Sequence, residues 1–88
     1  MDVRHNEAHH RFEAGSEPEL AMLVYSVQGP AVNMIHTEVP AAYQGQGLGG
    51  KLATAALNWA REKGLKVIPG CPYVQTYISK HPEYADLL

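Results

Sequence analysis

Met34-Ile35-His36-Thr37-Glu38-Val39-Pro40-Ala41-Ala42-Tyr43-Gln44-Gly45-Gln46-Gly47-Leu48-Gly49-Gly50-Lys51-Leu52 is the stretch whose reading decides the fold. It predicts a strand, a sharp glycine-rich turn and the first turn of a long helix. Residues 34–39 favour extended backbone, and Pro40 ends the ladder because it has no N–H to donate. Gly45, Gly47, Gly49 and Gly50 open conformations and close approaches that other residues do not allow. From Leu48 onward the pattern is helical. A glycine loop feeding a helix N-terminus presents unpaired N–H donors and the positive end of the helix dipole. That arrangement suits a phosphate or pyrophosphate.

On the C-terminal side, Leu48, Leu52, Ala55, Ala56, Trp59 and Ala60 share one helical face, which predicts a helix to about Lys63. Leu57 lies off that stripe, so the helix is expected to be covered on more than one side. Gly64 stops it, with Arg61 and Lys63 well placed for the dipole. Leu65 to Ile68 reads as a short buried strand, parallel to Ala31–Val39 after a right-handed crossover. Pro69-Gly70-Cys71-Pro72 breaks that strand, and Pro72 at a first helical position predicts a second short helix over 72–80. His81-Pro82 ends it, leaving a tail with Tyr84, Leu87 and Leu88.

On the N-terminal side, Leu20–Gln28 and Ala31–Val39 predict an antiparallel hairpin around Gly29-Pro30. In its second strand Ile35, Thr37 and Val39 face one way and His36 and Glu38 the other. Gly15 to Glu19 is a loop by composition. Val3–His5 and His10–Ala14 read as a small hairpin turning at Asn6-Glu7-Ala8. His5, His9 and His10 lack a matched set at zinc-finger spacing and read as surface polarity, so no metal is expected.

The 88 residues make one domain, 1–88, with room for one modest core. With 45% hydrophobic and 18% charged residues the composition is that of an ordinary soluble protein. Seven Lys/Arg against nine Asp/Glu give a net charge of −2, with no basic stripe for nucleic acid. No apolar run approaches the roughly 18 residues of a membrane span, and the start is not a signal peptide. A single cysteine, Cys71, excludes an intrachain disulfide framework and fits a reducing compartment. A cytoplasmic protein, monomer or homodimer, is the expectation.

The same glycines satisfy three motifs. Gly45-x-Gly47-x-x-Gly50 matches a dinucleotide fingerprint, which requires an acidic residue about 20 positions later and further strand–helix units; neither is present. Gly45-x-x-x-x-Gly50-Lys51 matches most of a P-loop, but Leu52 stands where a hydroxyl must hold Mg²⁺. The third pattern, Gln44-x-x-Gly47-x-Gly49 after a strand ending in Val39-Pro40, resembles the pyrophosphate loop of the GNAT superfamily of acyl-CoA N-acyltransferases. Together with His36-Thr37-Glu38-Val39-Pro40 and Ile68-Pro69-Gly70-Cys71-Pro72-Tyr73-Val74, it resembles a minimal family that holds little beyond the cofactor-binding half of that fold.

The resemblance implies an α+β fold: a mixed sheet of about five strands with a long pyrophosphate-loop helix and a short C-terminal helix. It implies acetyl-CoA or coenzyme A as cofactor and an amine acceptor, small molecule or protein. Gln44, Gly45, Gln46, Gly47, Leu48, Gly49, Gly50 and Lys51 would hold the pyrophosphate. Backbone at Glu38 and Val39 would pair with the pantetheine arm where the two parallel strands splay. Glu38 or His36 would take the amine proton. In the superfamily an Asn often begins the second helix and a Tyr seven residues later protonates the departing thiolate. Here Cys71 stands near the first place and Ile78 at the second, with Tyr77 one position off. Cys71, between a strand end and a helix N-terminus, would be an acyl relay or a lining residue. The expected function is acetyl-CoA-dependent N-acetyl transfer, or alternatively CoA binding or sensing without fast transfer. The helical segment that usually shapes the acceptor pocket is missing, as are the closing C-terminal strands, so the acceptor side is expected to be open, or supplied by a partner or dimer.

Overall fold

The computed structural model describes residues 2–88. Five strands form one sheet in sequence order: β1 (Arg4–Asn6), β2 (Arg11–Ser16), β3 (Glu19–Gln28), β4 (Ala31–Glu38) and β5 (Lys66–Ile68). The first four pair antiparallel in succession, and β5 pairs parallel to β4. Between β4 and β5 the chain makes a short 3₁₀ turn (Ala41–Tyr43) and the helix α1 (Leu48–Glu62). Helix α2 (Pro72–Lys80) and a 3₁₀ segment (Pro82–Leu87) follow β5. The class is α+β with a mixed sheet.

α1 packs on β2, β3, β4 and β5, and α2 packs beside it. Leu48, Leu52, Ala56 and Ala60 are buried, as their spacing predicts. Ala53 and Leu57 are buried too, because α2 and the C-terminal segment cover a second side. Ala55 and Trp59, on the predicted stripe, are only partly buried and pack against the rim of the core. The sheet contributes Phe12, Ala14, Ala21, Leu23, Tyr25, Val32 and Met34 from one face. Its other face carries polar and partly exposed residues, where Glu13 is held by Arg11 at 2.7 Å and Arg4 at 3.7 Å. No helix among the described residues is long and apolar enough to cross a membrane.

Four expectations are corrected. Gly15–Glu19 is not a loop: Gly15 pairs with Leu20 and Ser16 with Glu19, so only Glu17 and Pro18 turn. Ladder pairing carries the strands through a segment whose composition alone reads as coil. β5 is shorter than Leu65–Ile68 and only Val67 in it is buried, because β5 is the sheet edge. The alternation predicted for Ile35, Thr37 and Val39 breaks at a bulge. Val24 opposes His36 while Tyr25 opposes Met34, which leaves Ile35 without a partner and 48% exposed. Finally, His5 is not surface polarity: its ring stacks on Phe12 at 4.1 Å and its Nε2 meets the Tyr25 hydroxyl at 2.6 Å.

Candidate functional site

β4 and β5 stay paired only through Ala31–Lys66, Val32–Val67 and Asn33–Ile68. Past that point the strands part. Cys71 N–H still donates to the Met34 carbonyl at 2.9 Å, and no further β5 residue pairs with residues 35–38. Two local features produce the separation. The bulge at Ile35 re-aims β4, and Pro69 and Gly70 turn the chain off β5 into α2.

The glycine loop lies beside this opening. Its approach is a 3₁₀ turn tied by Tyr43 N–H to the Pro40 carbonyl (2.9 Å) and Gln44 N–H to the Ala41 carbonyl (3.3 Å). The Gln44 side chain reaches back to the Val39 carbonyl at 3.3 Å. Gly47 is the N-cap of α1 at φ 71°, ψ 19°, a left-handed conformation that side-chain-bearing residues adopt at a cost. It offers no capping side chain, so the amides of the first turn of α1 have no partner from the cap. An open cavity of about 210 Å³ lies over this turn. Val39, Tyr43, Gln44, Gly45, Gly47, Leu48, Gly49 and Tyr73 line it.

The structure therefore brings six of the predicted cofactor residues to one cavity: Val39, Gln44, Gly45, Gly47, Leu48 and Gly49. Gln46 and Lys51 are exposed nearby in sequence but do not line it. Gly50 lies toward the Tyr77 ring instead. These residues fit a pyrophosphate: amides without a side-chain cap, open space above Gly45 and Gly47, and no acidic lining residue.

Cys71 is the N-cap of α2 and only 5% exposed. Its Sγ lies 3.5 Å from Thr37 Oγ1 on β4, at the opening between the strands. Burial pushes the thiol pKa up. The Thr37 hydroxyl and the backbone N–H groups of Val74, Tyr73 and Thr37 outweigh it, so the net shift is downward. Tyr77 points elsewhere: its hydroxyl bonds Thr54 Oγ1 on α1 at 2.5 Å and its ring stacks on His81 at 4.0 Å. Ile78, at the place the resemblance gives to an acid, is a buried core residue. His36 and Glu38 form a loose pair at 3.7 Å, both well exposed on the face away from the helices. No cluster of metal-ligating side chains occurs among the described residues.

Sequence reasoning missed Thr37, Tyr43 and Tyr73. The available signals were the position of Tyr73 two residues past Cys71 in a helix start and the register of Thr37 beside the predicted splay. Neither specifies a neighbour across the fold.

Residues 11–87 match the model of the GCN5-related N-acetyl-transferase family. The chain belongs to this family. It is 40% identical over 83 residues to Protein NATD1 of Mus musculus, covering 93% of this chain and 67% of that protein. It is 33% identical to Protein NATD1 of Danio rerio, covering 98% of this chain and 83% of that one. With the chicken protein the identity is 43%, over 70% of this chain and 57% of the relative. The solution NMR structure of a GCN5-like protein from Staphylococcus aureus superposes with a TM-score of 0.79 at 31% identity, covering 98% of this chain and 85% of that one. The α+β fold is thus the GNAT type that the glycine loop and the Cys71 segment led us to expect.

Proposed function

We propose that this GCN5-related N-acetyltransferase family member is an acetyl-CoA-dependent N-acetyltransferase. One observation supports the reading above the others: the uncapped first turn of α1 and Val39, which follows the end of β4 that β5 no longer pairs, line a single cavity. Acetyl-CoA supplies an acetyl group activated as a thioester. The amides of residues 45–50 hold its pyrophosphate, with Lys51 adding positive charge nearby, and backbone at Glu38 and Val39 holds the extended arm. In direct transfer an amine lone pair forms the new C–N bond as the C–S bond breaks. Glu38 or His36 takes the amine proton, and the departing thiolate is reprotonated by solvent, since the Tyr77 hydroxyl is engaged by Thr54.

A relay through Cys71 is the second route. The hydrogen bonds that lower its pKa favour the thiolate, which would attack the thioester carbonyl and release CoA thiolate; the amine would then form its C–N bond as the Cys71 C–S bond breaks. A further alternative is a CoA-binding or sensing module without fast transfer: the outer face of the sheet carries exposed His36 and Glu38 with no helix among the described residues packed over them. A protein or peptide amine fits this open side at least as well as a small amine.

Intact mass of wild type and Cys71→Ala after mixing with acetyl-CoA, without acceptor, tests these routes. One acetyl adduct on the wild type alone identifies the relay. No adduct, with stabilisation by CoA, leaves direct transfer or sensing, which turnover on an amine then separates. Neither adduct nor stabilisation overturns the assignment.

A further inference from the structure

Gly49 poses a question that its backbone does not answer. It sits inside the first turn of α1 with no positive φ, where alanine is ordinarily better by roughly 1 kcal/mol. Tyr73 supplies the reason. A Cβ at position 49 would lie 2.7 Å from the Tyr73 hydroxyl oxygen and 2.8 Å from the ring carbon that bears it. The glycine lets a side chain from α2 come down onto the start of α1.

We propose that Tyr73 is a phosphate-binding residue, its hydroxyl joining the first-turn amides of α1 around the pyrophosphate of coenzyme A. The proposal rests on the acyl-CoA reading above and adds to the glycine loop a contact from a different element. The hydroxyls of Tyr25, Tyr77 and Tyr84 each have a side-chain partner, His5, Thr54 and Asn58 respectively. Tyr73 makes no such bond among the described residues; it is 41% exposed and forms a wall of the cavity over the loop. Burial, then the neighbouring Tyr77, raises its pKa, so the hydroxyl stays a donor at neutral pH and matches an anion. Two residues before Tyr73, the Cys71 N–H is tied to the Met34 carbonyl at 2.9 Å, which anchors the start of α2 to β4. The loop and the cysteine-bearing helix would therefore grip the same ligand.

The test compares CoA with pantetheine, which lacks the pyrophosphate, by titration of wild type, Tyr73→Phe, Gly49→Ala and Tyr84→Phe. Tyr73→Phe is expected to weaken CoA roughly tenfold, the loss of one hydrogen bond to a charged group, and to leave pantetheine unchanged. Gly49→Ala, by displacing the ring, should weaken CoA similarly while the protein stays folded by circular dichroism. Tyr84→Phe, away from the cavity, should bind CoA as wild type does. Equal CoA affinity in wild type and Tyr73→Phe overturns the inference alone, as does equal weakening toward pantetheine. A wild type that binds no CoA removes both this inference and the acyl-CoA reading.

Discussion

The two ends of α1 are built on opposite principles. At its C-terminal end Trp59 packs edge-on to His5 at 5.1 Å and tilted against Tyr25 at 4.8 Å. Arg61 bonds Asp86 at 2.7 Å and the Glu83 carbonyl at 2.8 Å, fastening the C-terminal segment. At its N-terminal end the cap is a glycine without a side-chain acceptor, the adjoining strands part, and a cavity lies open. The Arg61 guanidinium at the first end is bonded within the chain, whereas backbone donors at the second have no side-chain cap. The contrast teaches that this small protein places its ordering contacts about one helix length from its candidate site. The open end can then leave donors unsatisfied without loosening the sheet.

The strongest way to break the contrast is at the closed end. Trp59→Ala should cost roughly 2–4 kcal/mol in urea unfolding, somewhat below a fully buried aromatic because Trp59 is only partly buried. CoA affinity of the folded fraction should hold, and a parallel loss of affinity would show that the two ends are coupled. Gly47→Val gives the mirrored pattern. A β-branched residue at φ 71° should cost roughly 1–2 kcal/mol and remove most CoA binding, read by the same two measurements. Wild-type affinity in this variant would exclude the α1 cap from the site.

The smallest effect concerns pH. Burial, only partly offset by Glu7, holds the His5 pKa below its ordinary value near 6.5, and Lys63 adds to the lowering. The unfolded chain therefore binds its proton first as pH falls. The stability from neutral His5 is fully present above about 6.5 and is lost as pH drops through the lower folded value. His5→Gln keeps a partner for the Tyr25 hydroxyl and should flatten the decline as pH falls below about 6.5. An unchanged slope in unfolding free energy against pH would place the titration elsewhere.

Much of the fold was legible because its signals are local. The spacing of Leu48, Leu52, Ala56 and Ala60 defines the helix, Pro72 marks the start of the second, and Gly29-Pro30 sits between two extended runs. The candidate loop was legible for the same reason: Gln44, Gly45, Gly47 and Gly49 are close neighbours in the chain. The His5 environment was not, since it depends on Phe12, Tyr25 and Trp59, residues far apart in sequence. Nor was the role of Gly49, which looks like one loop glycine among four until Tyr73 is seen above it.

By itself, then, the sequence determined the order of elements, the antiparallel hairpins followed by a parallel crossover, and the glycine loop at a helix start. Backbone propensity, side-chain period and missing N–H groups act within a few residues and can be read there. Only the tertiary structure decided that Ile35 bulges, that β4 and β5 part after Asn33, and that Cys71 meets Thr37. It also decided that Tyr73, and not Tyr77, overhangs the loop. Those outcomes follow from packing between segments some 10 to 35 residues apart in the chain. The competing registers and side-chain directions there differ by contacts that no local pattern encodes.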